Sequence, residues 1–294
     1  MTMSEERSVT TNPAEQAAAE KAYLRRVRLM RRDRSTLHDL YASLQLHQLW
    51  RALAWEDLIQ RYRRASLGVG WIVISYVLMV FIFVVIFGRS SAVRTELEYT
   101  IYLGTGLWGF AFLQTSVIRG TAIFASNGGW IKSSRVPLGV LSLSLLMNCL
   151  MEMMIIGVIV IPFVFIFAGI PSPLLMLCIF GAIVCYIINS LWCTLLFGSI
   201  GAWSSDFQQL VPSLMRIVFF ATPIFWDYQT QQGRRVLLAE FNPFSHFVAI
   251  LREPLMGNVP DARHWFVVLG FMIVGWCAAL IVFNYARPRL SAWV

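Results

Sequence analysis

The chain has 294 residues, 57% of them hydrophobic and only 14% charged, with a mean hydropathy of +0.64 and a formal net charge of +8. A water-soluble domain carries about 25% charged residues, so lipid must be the solvent for much of this chain. The positive charge does not indicate nucleic acid. Twelve of the 24 Lys and Arg residues fall in the first 69 positions, and most others sit at the ends of apolar runs, where basic residues meet anionic headgroups.

Residues 1–36 are polar and then strongly basic, without an apolar face repeating at 3.6, and read as a flexible cytosolic tail. No signal peptide is visible, since the first long apolar run starts near Gly70, and the amino terminus is expected to stay in the cytosol. Residues 37–69 form an interfacial region. Within 44–64, Leu46, Leu49, Trp50 and Leu53 share a stripe that Trp55, Leu58, Ile59 and Tyr62 continue, while Arg51, Glu56, Asp57 and Arg61 lie elsewhere. Such an amphipathic helix lies in the plane of the membrane interface.

A hydrocarbon core of about 30 Å takes about 20 helical residues. Residues 70–294 supply six such runs: Gly70–Phe87, Tyr99–Ala125, Pro137–Phe167, Leu174–Ile200, Phe207–Phe225 and Trp265–Asn284. The expectation is an all-α integral membrane fold with six transmembrane helices. With the tail inside, the cytosolic segments carry 16 Lys and Arg and the opposite segments six. This is the asymmetry of the positive-inside rule, and it puts both termini in the cytosol.

The stretch 226–263, between spans five and six, is too long for a turn and too apolar for water. Two short helices broken at Asn242-Pro243 are expected to re-enter the outer leaflet, which is allowed only where the backbone is buried in protein or lines a cavity. Asn242, Pro243, Phe244 and Arg252 are the candidate gate on that side.

No energy-transducing or catalytic motif is present. Lys21 and Lys132 are the only lysines, and neither closes a GxxxxGK[ST] loop, so ATP must be bound by another chain. All five cysteines (Cys149, Cys178, Cys185, Cys193 and Cys277) lie in apolar runs without a CxxC pair, and no metal site is expected. His38, His47, His246 and His264 form no catalytic constellation, although His246 and Glu253 could serve as an acid–base pair.

Three charges fall inside spans. Arg119 and Glu152, on neighbouring spans, are expected to pair, because an isolated charge at the bilayer centre costs a few kcal/mol. Arg216 would face a polar path or the headgroups. Trp71, Tyr102, Trp108, Phe219 and Phe220 could offer stacking faces to sugar rings. Gly68 and Gly70, just before span one, could form a hinge.

RYRRASLGVGW entering span one, KSSRVPLGVL opening span three, SSDFQQLVPSLMRIVFFATPIFW across span five, FNPFSHFVAILREPLMG after it and FNYARPRLSAWV at the end resemble type 2 ABC transporter permeases. The match is nearest to the exporters of O-antigen, capsule or teichoic acid, and covers about residues 40–294. Residues 1–36 are a longer basic extension than that pattern has, and Val136 stands where the family often has an aromatic.

The resemblance implies a multi-pass permease of the bacterial inner membrane that binds no cofactor itself. It would act as a homodimer with two copies of a separate ATPase that carries ATP and Mg, and pass a lipid-linked polysaccharide between the two permeases. It also implies ATPase contacts at the interfacial helix (Trp55, Glu56, Asp57) and the loop after span two (Asn127, Lys132, Arg135). Two alternatives stay open: a drug or small-lipid exporter of the same fold, and an intramembrane acyl- or glycosyltransferase using His246 or Glu253 as base.

Overall fold

The computed structural model describes residues 36–88, 95–133, 136–226 and 234–294. Arg135 and the tail up to residue 35 lie outside the described residues. Within them, all regular structure is helical. In chain order the helices are α1 (Thr36–Gln45), α2 (His47–Tyr62), α3 (Gly70–Phe87), α4 (Glu96–Ser126), α5 (Gly128–Ser133) and α6 (Gly139–Phe167). They continue as α7 (Pro173–Trp203), α8 (Ser205–Ala221), α9 (Arg234–Phe241), α10 (Pro243–Leu255), α11 (Ala262–Ala286) and α12 (Leu290–Trp293).

Five of these, α3, α4, α6, α7 and α11, are long and apolar enough to cross a membrane. The fifth expected run differs. Its helix, α8, has 17 residues and ends at Ala221, not at Phe225. Proline disfavours the helical region in the residue before it, and Thr222, preceding Pro223, is extended at φ −84° and ψ 134°. The interfacial region is also two helices rather than one, meeting at Leu46.

The helix starts follow from local chemistry. Thr95 and Glu98 form a reciprocal capping box on α4. Ser172 caps α7 and Pro173 follows at its first position, where a missing N–H costs nothing. Ser204, a single extended residue, ends α7 and caps α8, so the chain reverses there without a loop.

The core is built around α4, most of whose apolar window is buried. It meets α7 through residues too small to hold the backbones apart. A Cβ on Gly201 would fall 2.0 Å from the Thr121 carbonyl oxygen, and one on Gly198 2.9 Å from that of Gly120. Ser116 and Ser190 share a 2.6 Å hydrogen bond along the same seam. Between membrane helices, close packing of this kind replaces the hydrophobic drive that lipid abolishes. The first span, α3, buries no residue and stands at the periphery.

Successive spans alternate in direction. One end gathers α1, the start of α6, the end of α11 and the carboxy terminus. There the Asp39 carboxylate takes a 2.8 Å bond from the Gly139 amide and pairs with Arg287 at 3.0 Å, all three groups buried. A negative group at a helix start is favourably placed. Val294 packs on Gly128 at the same end. The opposite end gathers the start of α4, α9, α10 and the start of α11.

Candidate functional site

Three regions collect the residues singled out in the sequence. The first is the outer face of α8. Asp206, Gln209, Ser213, Arg216 and Phe220 follow spacings of three and four, which align side chains on one helical face, and every one is exposed. The opposite face is packed: Val211 and Met215 are buried, and Phe219 meets Phe83, Phe110 and Phe225. Arg216 lies about 17 Å along α8 at 1.5 Å per residue. Trp71 is exposed in the first turn of α3.

Tyr102 and Trp108, expected as further stacking faces, require correction. They are only 3% and 4% exposed, because α4 is the central helix. The Trp108 indole N–H donates to the Met153 carbonyl at 2.9 Å, and the Tyr102 ring lies 3.8 Å beneath the Arg252 guanidinium. Both rings are packed within the bundle, and Tyr102 also contributes to the wall of a cavity at the start of α4.

The second region is an ion network joining α2, α4 and α6. Arg119 Nη1 lies 2.9 Å from Glu152 Oε1, and Arg119 Nη2 lies 2.7 Å from Asp57 Oδ2. Arg61 binds the same two carboxylates. Asn148 accepts from Arg119 at 2.6 Å and donates to the Ala54 carbonyl at 3.0 Å. Two guanidiniums and two carboxylates thus neutralise one another at the edge of the bundle.

Arg61 and Asn148 were not singled out in the sequence. The signals were Asp57–Arg61 and Asn148–Glu152, each four residues apart and therefore on one face. Beside the network a groove of about 440 Å³ is lined by Glu56 and Asp57 of α2 and by Asn127 past the end of α4. Trp55 and Lys132 are exposed nearby in sequence. Gly68 turns the chain between α2 and α3 at φ +53°, a conformation other residues resist. Gly70 has no such need and simply begins α3.

The third region surrounds α10. Asn242 caps it, accepting from Phe244 N at 3.0 Å and donating to the Thr222 hydroxyl at 2.8 Å, and Pro243 occupies the first helical position. Phe244 packs against Phe110. Arg252, only 5% exposed, donates to the Pro223 carbonyl at 2.7 Å, locking α10 to the bend after α8.

His246 Nδ1 lies 2.7 Å from His264 Nδ1, and His246 Nε2 lies 2.9 Å from the Glu240 carbonyl. A carbonyl only accepts, so His246 carries its proton on Nε2 and accepts from His264 at Nδ1. Burial pushes the His246 imidazole below its ordinary range. The Glu240 carbonyl opposes this shift, and His264 and Arg263 add to it. Glu253 stands 3.5 Å from His264 Nε2, so His264, absent from the expected acid–base pair, is the ring that adjoins both His246 and Glu253. No group of three or more metal-ligating side chains occurs among the described residues.

These features define a polytopic helical membrane protein with a polar stripe on α8, an ionic tie between α2 and two spans, and at one end a helix pair whose second member, α10, is buried. Residues 48–256 match the family model of the ABC-2 type transporter. The chain belongs to that family. It is similar to an O-antigen export system permease protein RfbA of Klebsiella pneumoniae, 24% identical over 237 residues that cover 80% of this chain and 91% of that protein. A second protein of that name and species is 22% identical over 238 residues. One from Myxococcus xanthus is 24% identical over 248 residues, covering 82% of this chain and 93% of its own.

Proposed function

We propose that the chain is the transmembrane permease subunit of an ATP-driven exporter that carries a lipid-linked polysaccharide out across the bacterial inner membrane. The observation that carries this reading is the stripe Asp206–Gln209–Ser213–Arg216 on the open face of α8. Charged and amide side chains do not face hydrocarbon; they line water-filled paths or meet a partner. Two copies facing each other across these stripes enclose a hydrated path, and six spans from one copy are too few for a polymer-wide channel. The names of the similar proteins support a glycan cargo.

In this reading α8 is the sixth membrane-embedded span, shortened to about 26 Å at 1.5 Å per residue, and α9 with α10 re-enters the outer leaflet. Both termini face the cytosol. A separate ATPase, in two copies and carrying the ATP and Mg, docks in the groove between α2 and the end of α4. Movement of α2 is transmitted through Asp57–Arg119 and Arg61–Glu152 to two spans at once, with Gly68 as the pivot. A rigid-body rotation of each bundle then opens the seam.

The test is deletion of the gene followed by fractionation of lipid-linked glycan. Retention on the cytosolic face, with the chain co-purifying with an ATPase, is expected. Normal glycan display in the deletion strain sinks the reading.

A further inference from the structure

At the end opposite the carboxy terminus, α4, α10 and the start of α11 wall a cavity of about 980 Å³, at the top of the size range of small-molecule sites, about 300–1,000 Å³. We propose that this cavity is a binding site for a neutral, polyhydroxylated ligand, a short run of sugar units. The assignment rests on reading the chain as a glycan exporter and adds to it a second sugar site, away from the α8 stripe.

Ser245 lines the cavity and is 6% exposed, and its shielded hydroxyl has no hydrogen-bond partner. A buried hydroxyl without a partner is rare and carries a desolvation cost, which a turn of the side chain toward a ligand in the cavity relieves. The lining is polar on this side: besides Ser245 it includes His246, Glu253 and Asn258. The His264–Glu253 contact, at 3.5 Å, is longer than a hydrogen bond should be. A ligand hydroxyl can enter there and donate to the carboxylate or to His264 Nε2, which accepts because the ring's proton sits on Nδ1.

Charge then selects the ligand. Among the described lining residues four are carboxylates (Glu98, Glu240, Glu253 and Asp261) and two are guanidiniums (Arg252 and Arg263). This balance disfavours phosphates, anionic lipid headgroups and uronic acids. The carboxylates are not gathered as a cation cage, since no metal-ligating cluster forms among the described residues. A neutral ligand rich in donors suits the surplus of carboxylate acceptors. At the rim, Phe167 is half exposed, and an aromatic face suits the C–H side of a pyranose.

The test places the full-length chain in lipid nanodiscs and measures direct binding of manno-, galacto- and gluco-tetraose, with a hyaluronan tetrasaccharide as the anionic control. At least one neutral tetrasaccharide should bind saturably while the anionic one does not. Ser245→Ala and Glu253→Gln should each weaken that binding about tenfold, the loss of roughly one hydrogen bond. Val158→Ala, on the exposed flank of α6, should leave it unchanged.

Binding by none of the neutral saccharides, equal binding of the anionic one, or full affinity in both variants overturns the site. Folding of each variant is checked by its melting temperature. Since no transport is measured, absent binding with intact export removes this site alone. Normal glycan display without the gene removes the exporter reading while a measured sugar affinity stands.

Discussion

Arg119 of the central span α4 and Asp57 of α2 meet at 2.7 Å, and this contact ties α2 to the helix around which the core is built. Arg119 also holds Glu152, so one guanidinium serves carboxylates on two different helices. Removing it leaves both acids with Arg61 alone. Truncating one member of a fully buried pair costs about 3–5 kcal/mol, but Asp57 is half exposed and water softens the loss. Arg119→Ala is expected to destabilise the chain by about 1–3 kcal/mol, read as a lower melting temperature. A double-mutant cycle with Asp57→Asn should show positive coupling; additive effects would mean that the two residues do not act together.

The seam between α4 and α7 gives a sharper mutation. With the Gly201 Cβ position 2.0 Å from the Thr121 carbonyl oxygen, no side-chain rotation relieves the clash. Gly201→Ala should force the helices apart and cost about 1–3 kcal/mol or more, as overpacking does. Gly129→Ala, where an added Cβ meets nothing within 4 Å, should be tolerated. Expression level and melting temperature of the two variants provide the comparison. Equal stability would rule out the close crossing.

Protonation of His246 supplies a pH dependence of definite sign. Its folded pKa lies below the unfolded value of about 6.5. As pH falls through that value the unfolded chain takes up a proton that the folded chain refuses, so stability present above about pH 6.5 is lost on acidification. The groups around the ring are His264, Arg263, Glu240 and the Glu240 carbonyl, with Glu253 beyond His264. Melting temperature should fall between about pH 6.5 and 5, and less steeply in His246→Gln. A profile that is flat, or unaltered by the substitution, counts against the neutral His246 in the structure.

How much of this was legible in the sequence depended on whether the signal was local. The break at Asn242-Pro243 could be read directly, because a capping side chain and a proline sit where a helix must start. Arg119 and Glu152 were recognisable as partners because few other charges fall within the spans. Burial of Tyr102 and Trp108 was not legible: a span that is apolar all round has no preferred face, so its sequence does not say which helix is central. The Asp39–Arg287 pair joins residues 248 positions apart and leaves no pattern at either end. At α8, Arg216 was visible as a charge inside a span. The stripe it belongs to emerged once the packed face of Val211 and Met215 was known.

That stripe makes the transport path testable residue by residue. With Cys178 and Cys277 replaced to silence the less buried native thiols, single cysteines at Gln209, Ser213 and Arg216 should react with a membrane-impermeant thiol reagent if, as proposed, each faces a hydrated path. Cysteines at Ile273 of α11 or Val158 of α6, exposed but on wholly apolar surfaces, should stay unlabelled, since hydrocarbon excludes the charged reagent. Arg216→Leu should leave the fold intact, as the side chain is exposed and removes no packing, yet lower export. Labelling should also respond to the ATPase cycle, rising when the seam opens. If Gln209, Ser213 and Arg216 were as unreactive as Ile273, the α8 face would be lying against lipid or packed without water. The chain would then need another route for its cargo.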